Sequence, residues 1–398
     1  DDAEKLYRQV RSAAPKLFDG LHLSGALAYQ QKRYADAIDF LTRAHRLDRK
    51  NPMCQMRLGL ALAATSRHAE AETFYRAALK LDPRMPVGWT NLAITLKILA
   101  RTDEAREGYL QAIALKPDYY DAHDRLGALL ADTKGLAAGI PHFRRALEVK
   151  PDYAPAWCNL GLALLHERNL TEARASFDRA LALDPSLTQA LVGRSLAFQQ
   201  SYRLEEAAAS YAEALAREPH HHEARSAYLL TLNYLDNRTA DDVFAAHLAF
   251  AATLASATVP PPPALPACHV AKQKLRVAFL SPDLRSHSVA YFLEPLLQHL
   301  DRERFEIVLY HDHFQVDATS ARLKTHASLW RNFVGQHNAV VEKQIREDRP
   351  DILVDLAGHT GYNRLPVFAR RVAPVQISYL GYPNTTGLAG VDYRFVGA

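Results

Sequence analysis

Cysteine is scarce: Cys54, Cys158 and Cys268 are all that 398 residues contain. They are odd in number and far apart, so they argue against a disulfide framework or a zinc site and for a reducing, cytoplasmic setting. Long apolar runs are missing too. None approaches the roughly 18 residues of a transmembrane helix. The first residues, DDAEKLYRQV, are polar and acidic. With no initiator Met, a leader removed earlier stays open. An excess of one charge is also lacking, since 48 basic residues face 44 acidic ones for a net +4. That balance excludes the basic stripe of a nucleic-acid binder and gives no pull toward an anionic membrane. No GxGxxG or GxxxxGK[ST] follows a strand-like run, so a common phosphate loop is absent. Of two histidine clusters, His220 to His222 falls in a polar turn between repeats, and His311 with His313 follows a strand with no carboxylate or Cys partner at ligand spacing. No metal is expected.

Proline, by contrast, is placed with regularity. Pro83, Pro117, Pro151, Pro185 and Pro219 each fall 34 residues after the last, the tetratricopeptide period. Inside it, large side chains recur as Trp89, Leu92, Leu96 and Tyr109, then Leu126, Leu130 and Phe143, then Trp157, Leu160, Leu164 and Phe177. Small residues recur where helices must approach closely: Gly59, Gly127 and Gly161 in the first helix of a pair, Ala71, Ala105, Ala173 and Ala207 in the second. Six repeats are expected, stacked into a superhelix with a concave groove. Its polar row is expected at Arg57, Asn91, Arg125 and Asn159. The asparagines there could grip a peptide backbone and the arginines could pair with acidic side chains; ordinary solvated surface is the plainer alternative.

Beyond the repeats, Thr239 and Asp242 read as a capping box opening the helix DDVFAAHLAFAATL. Four prolines, Pro260 to Pro263, predict a stiff spacer. LRVAFLS, FEIVLY, DILVDLAG and PVQISYL then alternate with helical stretches, which predicts a parallel sheet covered by helices. VDYRFVGA reads as one more strand, as though the sequence ended inside or just after the first half of a two-part domain. The domain plan is a helical cap over 1–17, repeats over 18–221, a helical bridge over 222–256, a proline-rich spacer over 257–274 and a Rossmann-like α/β unit over 275–398. Ligands of such sheets bind outside the carboxyl ends of the strands. Three polar loops fall there: SPDLRSH ending in His287, GHTGYN over 358–363, and GYPNTTG over 381–387.

With LRVAFLSPDLRSH, DILVDLAGHTGYNRL, APVQISYLGYPNTTGLAGVDYR and the bridge LTLNYLDNRTADDVFAAH, the chain resembles the O-linked N-acetylglucosamine transferase family in a bacterial form. The resemblance implies an inverting, metal-independent enzyme without a cofactor, built from two Rossmann halves. It would move GlcNAc from UDP-GlcNAc to Ser or Thr hydroxyls of proteins recruited by the repeats. The family's active-site histidine in S-x-D-x-x-x-H matches His287, and its glycine-bearing loop near sugar and acceptor matches Gly381, Tyr382, Pro383, Asn384, Thr385, Thr386 and Gly387. Asp283 is expected to cap the following helix or orient the His287 ring, and His359 and Asn363 to line the same crevice. Family members with a full asparagine ladder carry Asn in repeat after repeat, whereas here only Asn91 and Asn159 fit. Two alternatives stand beside this reading. Plant protein O-fucosyltransferases share GYPNTTG and use GDP-fucose, and a tetratricopeptide scaffold would need no chemistry. His287 itself could be the base that takes the acceptor proton, a hydrogen-bond donor that positions substrate, or a helix cap.

Overall fold

The computed structural model describes residues 16–254 and 274–395, with residues 9, 13 and 14. Most of the expected N-terminal cap and nearly all of the proline spacer, Cys268 included, lie outside the described residues. The chain forms two compact units, residues 1–193 and 194–398.

The first unit is built of helices α1 (Phe18–Gln30), α2 (Tyr34–Leu47), α3 (Pro52–Ala64), α4 (His68–Leu81), α5 (Pro86–Ile98), α6 (Thr102–Leu115), α7 (Tyr120–Lys134), α8 (Ile140–Val149), α9 (Ala154–His166) and α10 (Leu170–Leu183). Helix α11 (Thr188–Gln200) crosses into the second unit. The small positions do what the period demands. A Cβ on Gly59 would meet the Tyr75 ring at 2.6 Å, one on Gly127 the Phe143 ring at 2.8 Å, and one on Gly161 the Phe177 ring at 2.7 Å. Each glycine is thus the seat of an aromatic side chain from the paired helix, and Ala71, Ala105 and Ala173 are fully buried. Cys54 and Cys158 are buried free thiols, both pushed up to about 11 by burial.

The second unit continues with α12 (Leu204–Arg217), α13 (His222–Leu232) and α14 (Ala240–Leu254) before the sheet begins. Helix α14 opens on the expected capping box: Asp242 N–H donates to Thr239 Oγ1 at 3.1 Å and Thr239 N–H to Asp242 Oδ2 at 3.1 Å. Strands β1 (Leu275–Ser281), β2 (Phe305–His311), β3 (Leu329–Asn332), β4 (Ile352–Asp355), β5 (Val375–Tyr379) and β6 (Tyr393–Phe395) form one sheet in the order β3-β2-β1-β4-β5-β6, every pair parallel. Between them lie α15 (Ser288–His299), α16 (Ala318–Thr325), α17 (Asn338–Asp348) and α18 (Leu365–Phe368). The apolar strands are buried on both faces, as parallel sheets require. Val277 and Phe279 pack with Leu293 and Leu297 of α15 and Leu323 of α16. Ala278 and Leu280 face the other way, into a core shared with Val341 and Ile345 of α17. Ala208 of α12, Leu229 and Leu232 of α13, and Val243 and Phe250 of α14 belong to that same core. This sharing explains why the division of the chain falls inside α11, ahead of the boundary that the proline period suggests at residue 221.

Candidate active site

The strand order reverses between β1 and β4, so the crevice of the sheet opens where the loops after those two strands diverge. The loop after β1 is tightly tied. Asp283 N–H donates to the Ser281 hydroxyl at 3.0 Å, Ser320 Oγ donates to the Leu284 carbonyl at 2.7 Å, and Ser286 N–H donates to Asp317 Oδ2 at 2.8 Å. Asp317 caps α16, so the loop is pinned to the start of that helix. At its end His287 adopts extended backbone as the N-cap of α15, and its Nδ1 accepts the Val289 N–H at 3.3 Å. An accepting Nδ1 places the proton of the neutral ring on Nε2. That Nε2 lies 3.8 Å from Asp283 Oδ1, and the His287 side chain is 37% exposed. Of the two roles expected for Asp283, capping the helix is not the one it takes. Its carboxylate sits 3.6 Å from Arg285 and beside the His287 ring, and the cap position is taken by His287.

The loop after β4 is organised by Asp355, which accepts the N–H groups of Ala357 at 3.0 Å and Gly358 at 2.9 Å. Burial pushes its carboxyl up to about 6 against the pull of those two bonds. Arg364 then ties three loops together. It pairs with Asp312 after β2 and donates to the Phe333 and Gln336 carbonyls after β3 at 3.2 and 2.9 Å. Of the two expected crevice residues on this loop, His359 turns inward and Asn363 stays half-buried. His359 is 1% exposed, with Nδ1 accepting from Ser226 Oγ at 3.2 Å and Nε2 donating to the Thr386 carbonyl at 3.1 Å. Burial, and then the neighbouring His247, push it down to about 3, so the ring is neutral. Asn363 spends its amide on its own loop, donating to the Thr360 carbonyl at 2.8 Å and accepting the Leu365 N–H at 3.3 Å. His359 is thus withdrawn from the crevice, while the half-buried Asn363 keeps a second amide N–H and a second carbonyl lone pair.

The loop after β5 is close-packed. A Cβ on Gly381 would lie 1.7 Å from the Leu356 carbonyl oxygen, so only glycine lets the two loops meet. Gly387 has φ +75°, and a Cβ there would meet the His247 carbonyl oxygen at 2.3 Å. Tyr382 is 5% exposed and points into the helices, with its hydroxyl 2.7 Å from His247 Nε2 and 2.8 Å from Asn233 Nδ2. Thr386 is buried as well. The outward part of GYPNTTG is therefore Pro383, which is exposed, with Asn384 and Thr385, which are half-buried. Tyr382 and Thr386 are corrected from substrate contacts to buried supports of the loop.

In the first unit the polar row also has partners. Arg57 lies 3.2 Å from His22 Nε2, Asn91 Nδ2 lies 3.8 Å from Met56 Sδ, and Asn159 Nδ2 donates to Asp124 Oδ1 at 2.9 Å. Each of these reaches back one repeat. Arg125 instead pairs with Asp121 of its own helix at 3.0 Å. The amide nitrogens meant for a bidentate grip on a peptide are thus already in contacts between repeats. Among the described residues no group of three or more His, Cys, Asp or Glu could hold a metal ion, and no helix is long and apolar enough to cross a membrane.

Residues 243–397 match the model of glycosyl transferase family 41, and residues 1–52, 41–86, 88–119 and 135–187 match tetratricopeptide repeat models. The chain thus joins a stretch that matches tetratricopeptide repeats to one that matches glycosyl transferase family 41. The probable UDP-N-acetylglucosamine--peptide N-acetylglucosaminyltransferase SPINDLY of Oryza sativa subsp. japonica is 38% identical over 170 residues, 42% of this chain and 18% of that protein. The UDP-N-acetylglucosamine--peptide N-acetylglucosaminyltransferase of Caenorhabditis elegans is 31% identical over 125 residues, 30% of this chain and 11% of that one. Among solved structures, a mutant O-GlcNAc transferase of Thermobaculum terrenum superposes with a TM-score of 0.63 at 31% identity, covering 69% of this chain and 53% of that one. The chain thus spans under a fifth of these curated relatives and about half of the solved structure. The family 41 match begins at residue 243, yet Ser226 and Asn233, which hold the loops after β4 and β5, precede it. Asn233 and His247 both lie in the bridge stretch LTLNYLDNRTADDVFAAH, but nothing in its periodicity sets them apart as loop anchors.

Proposed function

We propose that the protein is an inverting glycosyltransferase that moves GlcNAc from UDP-GlcNAc to Ser or Thr hydroxyls of acceptor proteins recruited through the repeats. It works without a metal ion, in a cytoplasmic setting that suits the buried free thiols of Cys54 and Cys158. The observation that carries the reading is the placement of three polar loops at the carboxyl ends of β1, β4 and β5, with His287 partly open beside the β1–β4 switch point. Such a ring can serve transfer in one of two ways. A base needs a free lone pair, and the Nδ1 lone pair of His287 is engaged by Val289 N–H while Nε2 carries the proton. The arrangement favours the donor role: Nε2–H stabilises oxygen charge that develops as the bond to the leaving group breaks. The N-terminus of α15 adds partial positive charge at the same place. The test is incubation of the complete protein with UDP-GlcNAc or GDP-fucose and candidate acceptors, with intact-mass readout. A gain of one N-acetylhexosamine supports the proposal, a gain of one deoxyhexose moves it to fucosyl transfer, and no gain with either donor refutes it.

A further inference from the structure

We propose that His247 and Tyr382 are positioning residues for transfer, holding the outward edge of the 381–387 loop from helices α13 and α14. The inference rests on the glycosyl-transfer reading above. Two hydrogen-bond chains run from the helices into the loops, and their polarity is consistent throughout. In the first, His247 Nδ1–H donates to the Val243 carbonyl at 2.6 Å, which leaves Nε2 to accept the Tyr382 O–H at 2.7 Å. The phenol oxygen accepts from Asn233 Nδ2 at 2.8 Å, Asn233 Oδ1 accepts from Asn384 Nδ2 at 2.7 Å, and Asn384 Oδ1 accepts the Thr385 N–H at 2.7 Å. The second chain runs from Ser226 through His359 to the Thr386 carbonyl. The helix backbone closes on the same loop where the His247 carbonyl approaches Gly387.

Stability alone does not call for this chemistry. Apolar side chains of the same shape at 382, 247 and 233 together would leave no polar group to satisfy, whereas phenylalanine at 382 alone leaves the buried His247 Nε2 without its donor. What the network adds is direction. Its first chain ends on Asn384 and Thr385, the part of the loop that reaches the surface at the carboxyl edge of the sheet. A displacement of about 1 Å in such a place can cost on the order of 10²-fold in rate.

The experiment compares Tyr382→Phe, His247→Ala and His247→Gln with the wild type in the complete protein, reading kcat, the KM for donor and acceptor, the melting midpoint, and hydrogen exchange at the Thr385 and Gly387 amides. Tyr382→Phe keeps the ring but leaves His247 Nε2 unpaired, so the midpoint should fall by a few degrees while kcat, measured well below it, falls about 10- to 100-fold with little change in donor KM, and the two amides exchange faster. Glutamine at 247 can still accept from Tyr382 and should recover part of the kcat that alanine loses. Wild-type kcat in Tyr382→Phe overturns the proposal, whether or not exchange changes, because the network would then be structural only. If the wild type transfers neither sugar, the enzymatic reading fails. The positioning role for transfer then falls with it, and faster exchange in Tyr382→Phe would show only that the network orders the loop.

Discussion

Acidification should destabilise the α/β unit through two buried histidines, and the size of the effect follows from their surroundings. His247 and His359 are packed ring to ring at 5.1 Å, and burial lowers the pKa of both, that of His359 to about 3. In the unfolded chain each titrates near 6.5. Below that pH the unfolded state binds protons that the folded state refuses, so stability is fully present above about 6.5 and is lost as pH falls toward the folded pKa. For a ring that stays neutral in the fold, the loss between pH 7 and pH 5 is about 2 kcal/mol. Other histidines lowered by burial, such as His311 and His222, add to the total slope, so the useful quantity is a difference. The perturbation is His359→Gln, whose amide can still donate to the Thr386 carbonyl but has no proton to gain. Denaturant-dependent hydrogen exchange at the β4 and β5 amides reports this unit by itself. The wild type should lose about 2 kcal/mol more than the variant between pH 7 and pH 5. Equal losses would refute the reasoning.

The Cβ that Gly381→Ala adds would fall 1.7 Å from a backbone carbonyl that cannot step aside. The variant should lose stability at or above the upper end of the 1–3 kcal/mol typical of overpacking, seen as a lower melting midpoint; an unchanged midpoint would contradict the loop packing. Charge reversal at Arg57 and Arg125 should raise the KM of acidic acceptors with little change in kcat, and equal loss for acidic and neutral acceptors would remove these arginines from recognition. Transfer should persist in EDTA; loss of turnover restored by magnesium or manganese would overturn the metal-independent reading.

The repeats were the most legible part of the sequence, because a 34-residue proline period and its small residues are set by local packing of each helix pair. The strands were legible where they are long and apolar, as in β1 and β2. Strand β3, LWRN, escaped notice because four residues with an Arg and an Asn carry no alternation that a pattern could register. His287 was legible as a residue at a strand's carboxyl end, but its capping bond, and with it the tautomer, depends on backbone direction at residue 287. His359 and Tyr382 were misplaced for a different reason. A polar residue in a polar loop reads as outward-facing, and only the tertiary approach of α13 and α14, from more than a hundred residues earlier in the chain, turns both side chains inward.

The most direct measurement of the central claim is single-turnover transfer by the complete protein with His287 replaced by Ala, Asn or Gln, the fold and UDP binding being checked in each. Alanine removes a donor that acts on developing charge and should cost about 10²- to 10³-fold in rate while the fold and UDP binding survive. Asparagine can keep the cap on α15 but ends short of the Nε2 position, so it should remain slow. Glutamine places an amide N–H at that position and should recover part of the rate. Glutamine as slow as alanine would return His287 to the role of base, and wild-type turnover in the alanine variant would leave it as a helix cap alone.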